Sequence, residues 1–183
     1  MLPICQFLIW IETFVTKIES EDVVKEKNYR LKKEKESEMF LETAEQLTPD
    51  DIQEIERKVN INLPKQLSEH YLKYNGGIPD KPYFYSDISD IETCVHAFLP
   101  MKYIDEIGFT LEEGYLDFKN RKVIPEKFLP FAHDAGGNPF CINLENGQVV
   151  IIWLDCGEVS EEEICFLADD FDEFLNSLGE EDY

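Results

Sequence analysis

Residues 128–154, FLPFAHDAGGNPFCINLENGQVVIIWL, decide the fold. Three apolar runs (128–133, 139–144 and 148–154) are separated by Asp134-Ala135-Gly136-Gly137-Asn138 and by Glu145-Asn146-Gly147. Asn-Gly between apolar runs is a strong hairpin signal, because both residues tolerate positive φ. Asp134 and Asn138 flank two glycines and read as turn residues that bond their own backbone. In the last run Val149, Ile151 and Trp153 alternate with Val150, Ile152 and Leu154. Both faces are apolar, which predicts a central strand covered on each side.

Upstream, Thr48-Pro49-Asp50-Asp51 supplies an N-cap hydroxyl, a proline at the first helical position and first-turn carboxylates. Ile52, Ile55 and Val59 follow at helical spacing, so a helix spans about 49–59. A second helix opens at Pro64, presents Leu67, Tyr71 and Tyr74, and ends on Asn75-Gly76-Gly77 as a left-handed glycine cap. Segments 82–85 and 91–99 read as strands and 103–118 as a helix broken by Gly108 and Gly114. A closing helix over 169–178 buries Phe171, Phe174, Leu175 and Leu178. The fold class is α+β: a largely antiparallel sheet flanked by helices. An extra N-terminal helical segment precedes it. Ile4, Leu8, Ile11, Val15 and Ile18 form one helical stripe, and residues 19–38 are a mixed-charge linker. The chain therefore divides into 1–38, an amphipathic helix and charged linker, and 39–183, the α+β domain.

Charge is the most informative part of the composition. The chain carries 39 Asp+Glu against 17 Lys+Arg, a net charge of −22. Residues 1–37 balance, so the whole excess lies in residues 38–183. Such a surface repels phosphate backbones and anionic lipid headgroups, which excludes nucleic acid and membrane as partners of the domain. It favours a basic protein partner. The apolar run at 2–11 lacks a basic flank and reaches Glu12 too soon for a membrane span. Cys5, Cys94, Cys141, Cys156 and Cys165 are scattered with no CxxC pair. A reducing, cytoplasmic setting is the expectation.

Residues 47–77 (LTPDDIQEIERKVNINLPKQLSEHYLKYNGG), 128–154 and 167–178 (LADDFDEFLNSL) resemble in order and spacing the SUKH superfamily, the Smi/Knr-type fold. The shared features are a capped first helix, "LP" opening a second helix that ends in "NGG", the "LPFA-D-GGN" hairpin, and an F-x-x-F-L closing helix. The likeness covers about residues 45–180. Asp170 stands where the family often has a small hydroxyl residue. The resemblance implies a non-catalytic immunity protein that binds and neutralises a cognate polymorphic or contact-dependent toxin, with a nuclease as the expected target. Fungal relatives imply the alternative, an intracellular scaffold or regulator, here recruiting or dimerising through the N-terminal helix. Removing residues 1–38 separates the two readings, since only the second needs them. A monomer or weak homodimer is expected.

Catalytic and metal patterns are weak by comparison. His133-Asp134 with Cys141 across the hairpin contains the residue types of a cysteine–histidine nucleophile, but His133 at a strand end before a Gly-Gly turn reads as structural. Cys94-x-His96 lacks a second ligand pair for zinc. The run Asp155, Glu158, Glu161, Glu162, Glu163, Asp169 and Asp170 lacks EF-hand spacing. The reading is therefore not an enzyme, with no cofactor and no metal. Toxin contact is assigned instead to aromatic anchors among carboxylates. These are Tyr83, Phe84, Tyr85 and Trp153 with Asp87, Asp90, Glu92, Asp155, Glu158, Glu161, Glu162 and Glu163.

Overall fold

The structure, a computed structural model, describes residues 39–86, 91–104, 108–154 and 159–181. The predicted 4–18 helix and charged linker lie outside the described residues, in a unit of their own, Met1–Glu38. In chain order the second unit forms β1 (Phe40–Leu41), α1 (Pro49–Val59), α2 (Lys65–Lys73), β2 (Ile78–Pro79), β3 (Tyr83–Ser86), β4 (Ile91–Cys94) and β5 (Ala97–Phe98). There follow α3 (Leu111–Arg121), β6 (Phe128–His133), β7 (Pro139–Asn143), β8 (Val149–Ile152), β9 (Ile164–Ala168), α4 (Phe171–Asn176) and β10 (Leu178–Gly179).

The main sheet is antiparallel, in the order β5-β6-β7-β8-β9. Its β7–β8 turn uses one positive φ, at Gly147, whose N–H donates to Asn143 O at 2.7 Å. In the β6–β7 turn the two oxygens of Asp134 accept from Asn138 N (2.8 Å) and Asn138 Nδ2 (2.9 Å), as the turn reading expects. On the first face Leu129, Phe131, Phe140, Ile142, Val149 and Ile151 share a core with α1, α2 and α4. Phe131 packs edge-on against Phe171 and Phe174, at 5.2 and 5.5 Å between centroids. On the second face Phe128, Cys141, Val150 and Ile152 meet Ile124, with Phe118 and Val123 packed alongside. Thus β8 is buried on both faces, as its sequence predicts. It is not the last strand, however: β9 pairs outside it.

Three expectations are corrected. First, the 91–99 run is two strands in different sheets. Val95 N–H donates to Pro82 O (2.8 Å) while the next donor, His96 N–H, turns to His133 O (2.8 Å). The chain changes sheets at that point, β4 joining β10-β3-β4 and β5 the main sheet. Second, helix α3 begins at Leu111 rather than 103. Thr110 and Glu113 form a capping box, Glu113 N–H donating to Thr110 Oγ1 (3.4 Å) and Thr110 N–H to the Glu113 carboxylate (3.1 Å). Third, α2 is not capped by glycine; its C-cap is Tyr74, with extended backbone. Gly76 and Gly77, at φ 70° and 100°, serve close approach instead. A Cβ on Gly77 would lie 2.4 Å from Leu41 O, and one on Gly76 2.8 Å from Pro100 Cα. The Asp170 carboxylate caps α4 by accepting from Glu173 N–H at 2.9 Å.

Candidate interaction surfaces

Strand alternation sorts the predicted contact residues. In β3, Tyr83 and Tyr85 point to the outer face, their rings stacked at 6.3 Å, with 15° between planes. Antiparallel register sets Cys94 opposite Tyr83 and Glu92 opposite Tyr85, so these four share one face. Glu92 is exposed and Tyr85 37% exposed. Phe84 faces the other way, 1% exposed and stacked on Phe174 at 5.6 Å. It is a core residue, and its assignment as a contact is withdrawn: consecutive strand residues cannot share a face. Trp153 is half-buried, and its backbone N–H donates to Glu163 O at 2.9 Å. That bond joins it to the three-residue turn Glu161–Glu163, capped by Ser160 and open to solvent at Glu161 and Glu162. Asp87, Asp90, Asp155 and Glu158 lie outside the described residues.

The charge pattern is sharper than the net value suggests. No Lys or Arg occurs between Lys81 and Lys102, or after Lys127. Every strand is therefore free of cationic side chains. Among the described residues the Lys and Arg side chains sit on α1, α2, α3 and in turns between elements, and Lys58, Lys65, Lys81, Lys102, Lys119 and Arg121 are each paired with a carboxylate.

Sequence reasoning missed a groove of about 1020 Å³ between α3 and the second face of the main sheet. A register shift between Pro130 and Ala132 lets Pro130 and His133 both face it, beside Pro139. Phe109, Phe118, Glu42 and Ile78 also line it. His96 and His133 line it as well, 5.5 Å between ring centroids. These residues come from five distant segments, so no local motif announces them.

Cys141 is fully buried, its Sγ against Pro139 O at 3.9 Å, and burial pushes the thiol well above its usual range. A nucleophilic cysteine needs the opposite shift. His133 Nδ1 lies 2.8 Å from Asp134 O, a backbone contact within the turn. Among the described residues no three His, Cys, Asp or Glu side chains gather as a metal site, and no described helix is long and apolar enough to cross a membrane.

An antiparallel five-stranded sheet packed with helices on its faces defines an α+β domain. The chain belongs to the SMI1 / KNR4 family (SUKH-1), whose model matches residues 46–177. It is also similar to the SPbeta prophage-derived uncharacterized protein YokK of Bacillus subtilis (strain 168). The two are 24% identical over 147 residues, 73% of this chain and 76% of the relative. Members of the family bind partner proteins, toxins among them.

Proposed function

We propose that this protein is a non-catalytic immunity protein that binds a cognate polymorphic or contact-dependent toxin, a basic nuclease domain, and neutralises it by occupying its active face. The observation that carries this reading is the absence of Lys and Arg from the described strands, with Tyr83, Tyr85 and Glu92 on one face and Trp153 bonded to the acidic turn Glu161–Glu163. Carboxylates set against a phosphate-binding groove fill the positions that a nucleic acid's phosphates would take. They also steer encounter, with association rates reaching ~10⁸–10⁹ M⁻¹s⁻¹ at low salt in steered pairs. Stacked tyrosines supply rigid, desolvated anchors at small entropic cost.

The test is co-expression with the toxin domain encoded beside its gene, followed by calorimetry on the purified pair. Growth rescue and a one-to-one complex are expected. Toxicity that persists at matched expression, with no complex formed, refutes the reading.

A further inference from the structure

We infer that the groove between α3 and the main sheet is the anchor pocket for a basic amphipathic segment of the partner, an inference that rests on the immunity reading and adds a second contact to the strand surface named there. Four observations converge. The end of α3 packs on the second face of the sheet at Phe128, Cys141, Val150 and Ile152, while Pro130, Pro139 and the half-buried His133 line the groove beside it. Large apolar side chains gather at its rim: Ile104 is 60% exposed, Phe109 41% and Ile78 36%, with Leu41 paired to Ile78. An exposed apolar cluster of this kind marks an interaction site.

Gly114 lies inside α3 at helical backbone angles and lines the groove. A Cβ there would touch the Phe109 ring at 3.4 Å, so the glycine leaves room where a larger residue would fill the cleft. Finally, among the described residues no Lys or Arg lines the groove, whereas the exposed Glu42 does. An apolar lining with a carboxylate and no cationic side chain fits a segment that buries Leu, Ile or Phe and points Lys and Arg outward.

The test measures the affinity of the full chain for the purified toxin domain by calorimetry, with sedimentation velocity for oligomeric state. Ile104→Lys, at a solvent-exposed position, and Gly114→Leu, which fills the cleft, are each expected to weaken binding at least tenfold with unchanged circular dichroism. Glu69→Lys, on the surface of α2, controls for charge alone and is expected to bind within twofold of wild type. Tight wild-type binding that both groove variants retain overturns the groove while sparing the immunity reading. No wild-type binding overturns both. A wild-type dimer that the groove variants convert to monomer assigns the groove to a second copy and also overturns the proposal.

Discussion

Lys102 Nζ lies 2.5 Å from Asp51 Oδ1, pinning the first turn of α1 to the turn that follows β5. Lys102 takes a left-handed backbone, φ 62°, and its own N–H donates to Glu112 at 3.2 Å. Asp51 also accepts from the Thr48 hydroxyl at 2.7 Å and the Thr48 N–H at 2.8 Å. One carboxylate therefore closes a capping box and a long-range ion pair. The Lys102 ammonium, then the Thr48 donors, hold the Asp51 carboxyl down from 3.8 to about 2.

Because the folded value is depressed, this contribution is complete above pH 3.8 and is lost as pH falls through 2. In Lys102→Met the principal cause is gone, and carboxyl carbon NMR should place the Asp51 titration measurably nearer 3.8. An Asp51 that still titrates near 2 in that variant would show that the cap alone sets it.

His70 loses stability over a different window. Its ring packs among Phe40, Tyr71, Tyr74, Phe98 and Phe171, and its Nε2 has no hydrogen-bond partner. Burial, with a smaller push from Lys73, lowers its pKa from 6.5 to about 4. The unfolded chain takes the proton first, so stability falls between pH 6.5 and 4, by roughly 3 kcal/mol at the lower end. Urea titrations of wild type and His70→Leu should diverge by about 2 kcal/mol from pH 7 to pH 5, in favour of the variant. Parallel curves would contradict the buried neutral ring.

Association with the proposed toxin partner should depend on salt through its forward rate. Exposed carboxylates act over about 10 Å at 0.1 M ionic strength, so stopped-flow on-rates should drop tenfold or more from low salt to several times that concentration. Tyr85→Ala should act mainly on dissociation, since it removes contact area rather than charge. A salt-insensitive on-rate would separate the acidic surface from recognition.

Gly114→Ala distinguishes the cost of a helix glycine from its use. The position has ordinary helical backbone, and the added methyl meets the Phe109 ring at 3.4 Å, a normal contact. The variant should gain about 0.5–1 kcal/mol in urea unfolding. A loss would mean that Phe109 cannot yield.

How far the fold could be read ahead depended on whether a signal was local. The two-sided burial of β8 was visible because apolar residues occupy both parities of 149–152. The start of α1 was visible because proline and its cap are adjacent. Strand β9 was hidden: Ile164–Ala168 is a short apolar run set among carboxylates, and the charge drew the reading to the surface. The Thr110–Glu113 box marked the start of α3, but an apolar run upstream, Tyr103 to Ile104, masked it. On the candidate surface, period-two alternation already argued against Phe84 beside Tyr83 and Tyr85. The groove offered nothing comparable, since Glu42, Ile78, His96, Phe109 and Pro130 meet only through tertiary structure.

Asn75 shows the same division within one motif, and it gives the most stringent stability test. Sequence places it in a helix-ending turn, yet its side chain acts as a buried staple, 2% exposed. Its Nδ2 donates to Glu45 O at 2.7 Å and to Met101 O at 3.0 Å, and its Oδ1 accepts from Met101 N–H at 2.7 Å. The chain after α2 is thereby tied to the loop before α1 and to the segment after β5. Asn75→Ala removes all three bonds and leaves the Met101 N–H and carbonyl buried, so it should cost about 3 kcal/mol. Asn75→Asp keeps the acceptor for Met101 N–H but aims a carboxylate at two carbonyls, and it should cost at least as much. Asn146→Ala, at an exposed turn where the side chain bonds only Gln148, is the matched control and should change stability by less than about 1 kcal/mol. Equal effects at positions 75 and 146 in chemical denaturation would show that the loops beside α1 and β5 hold together without the amide.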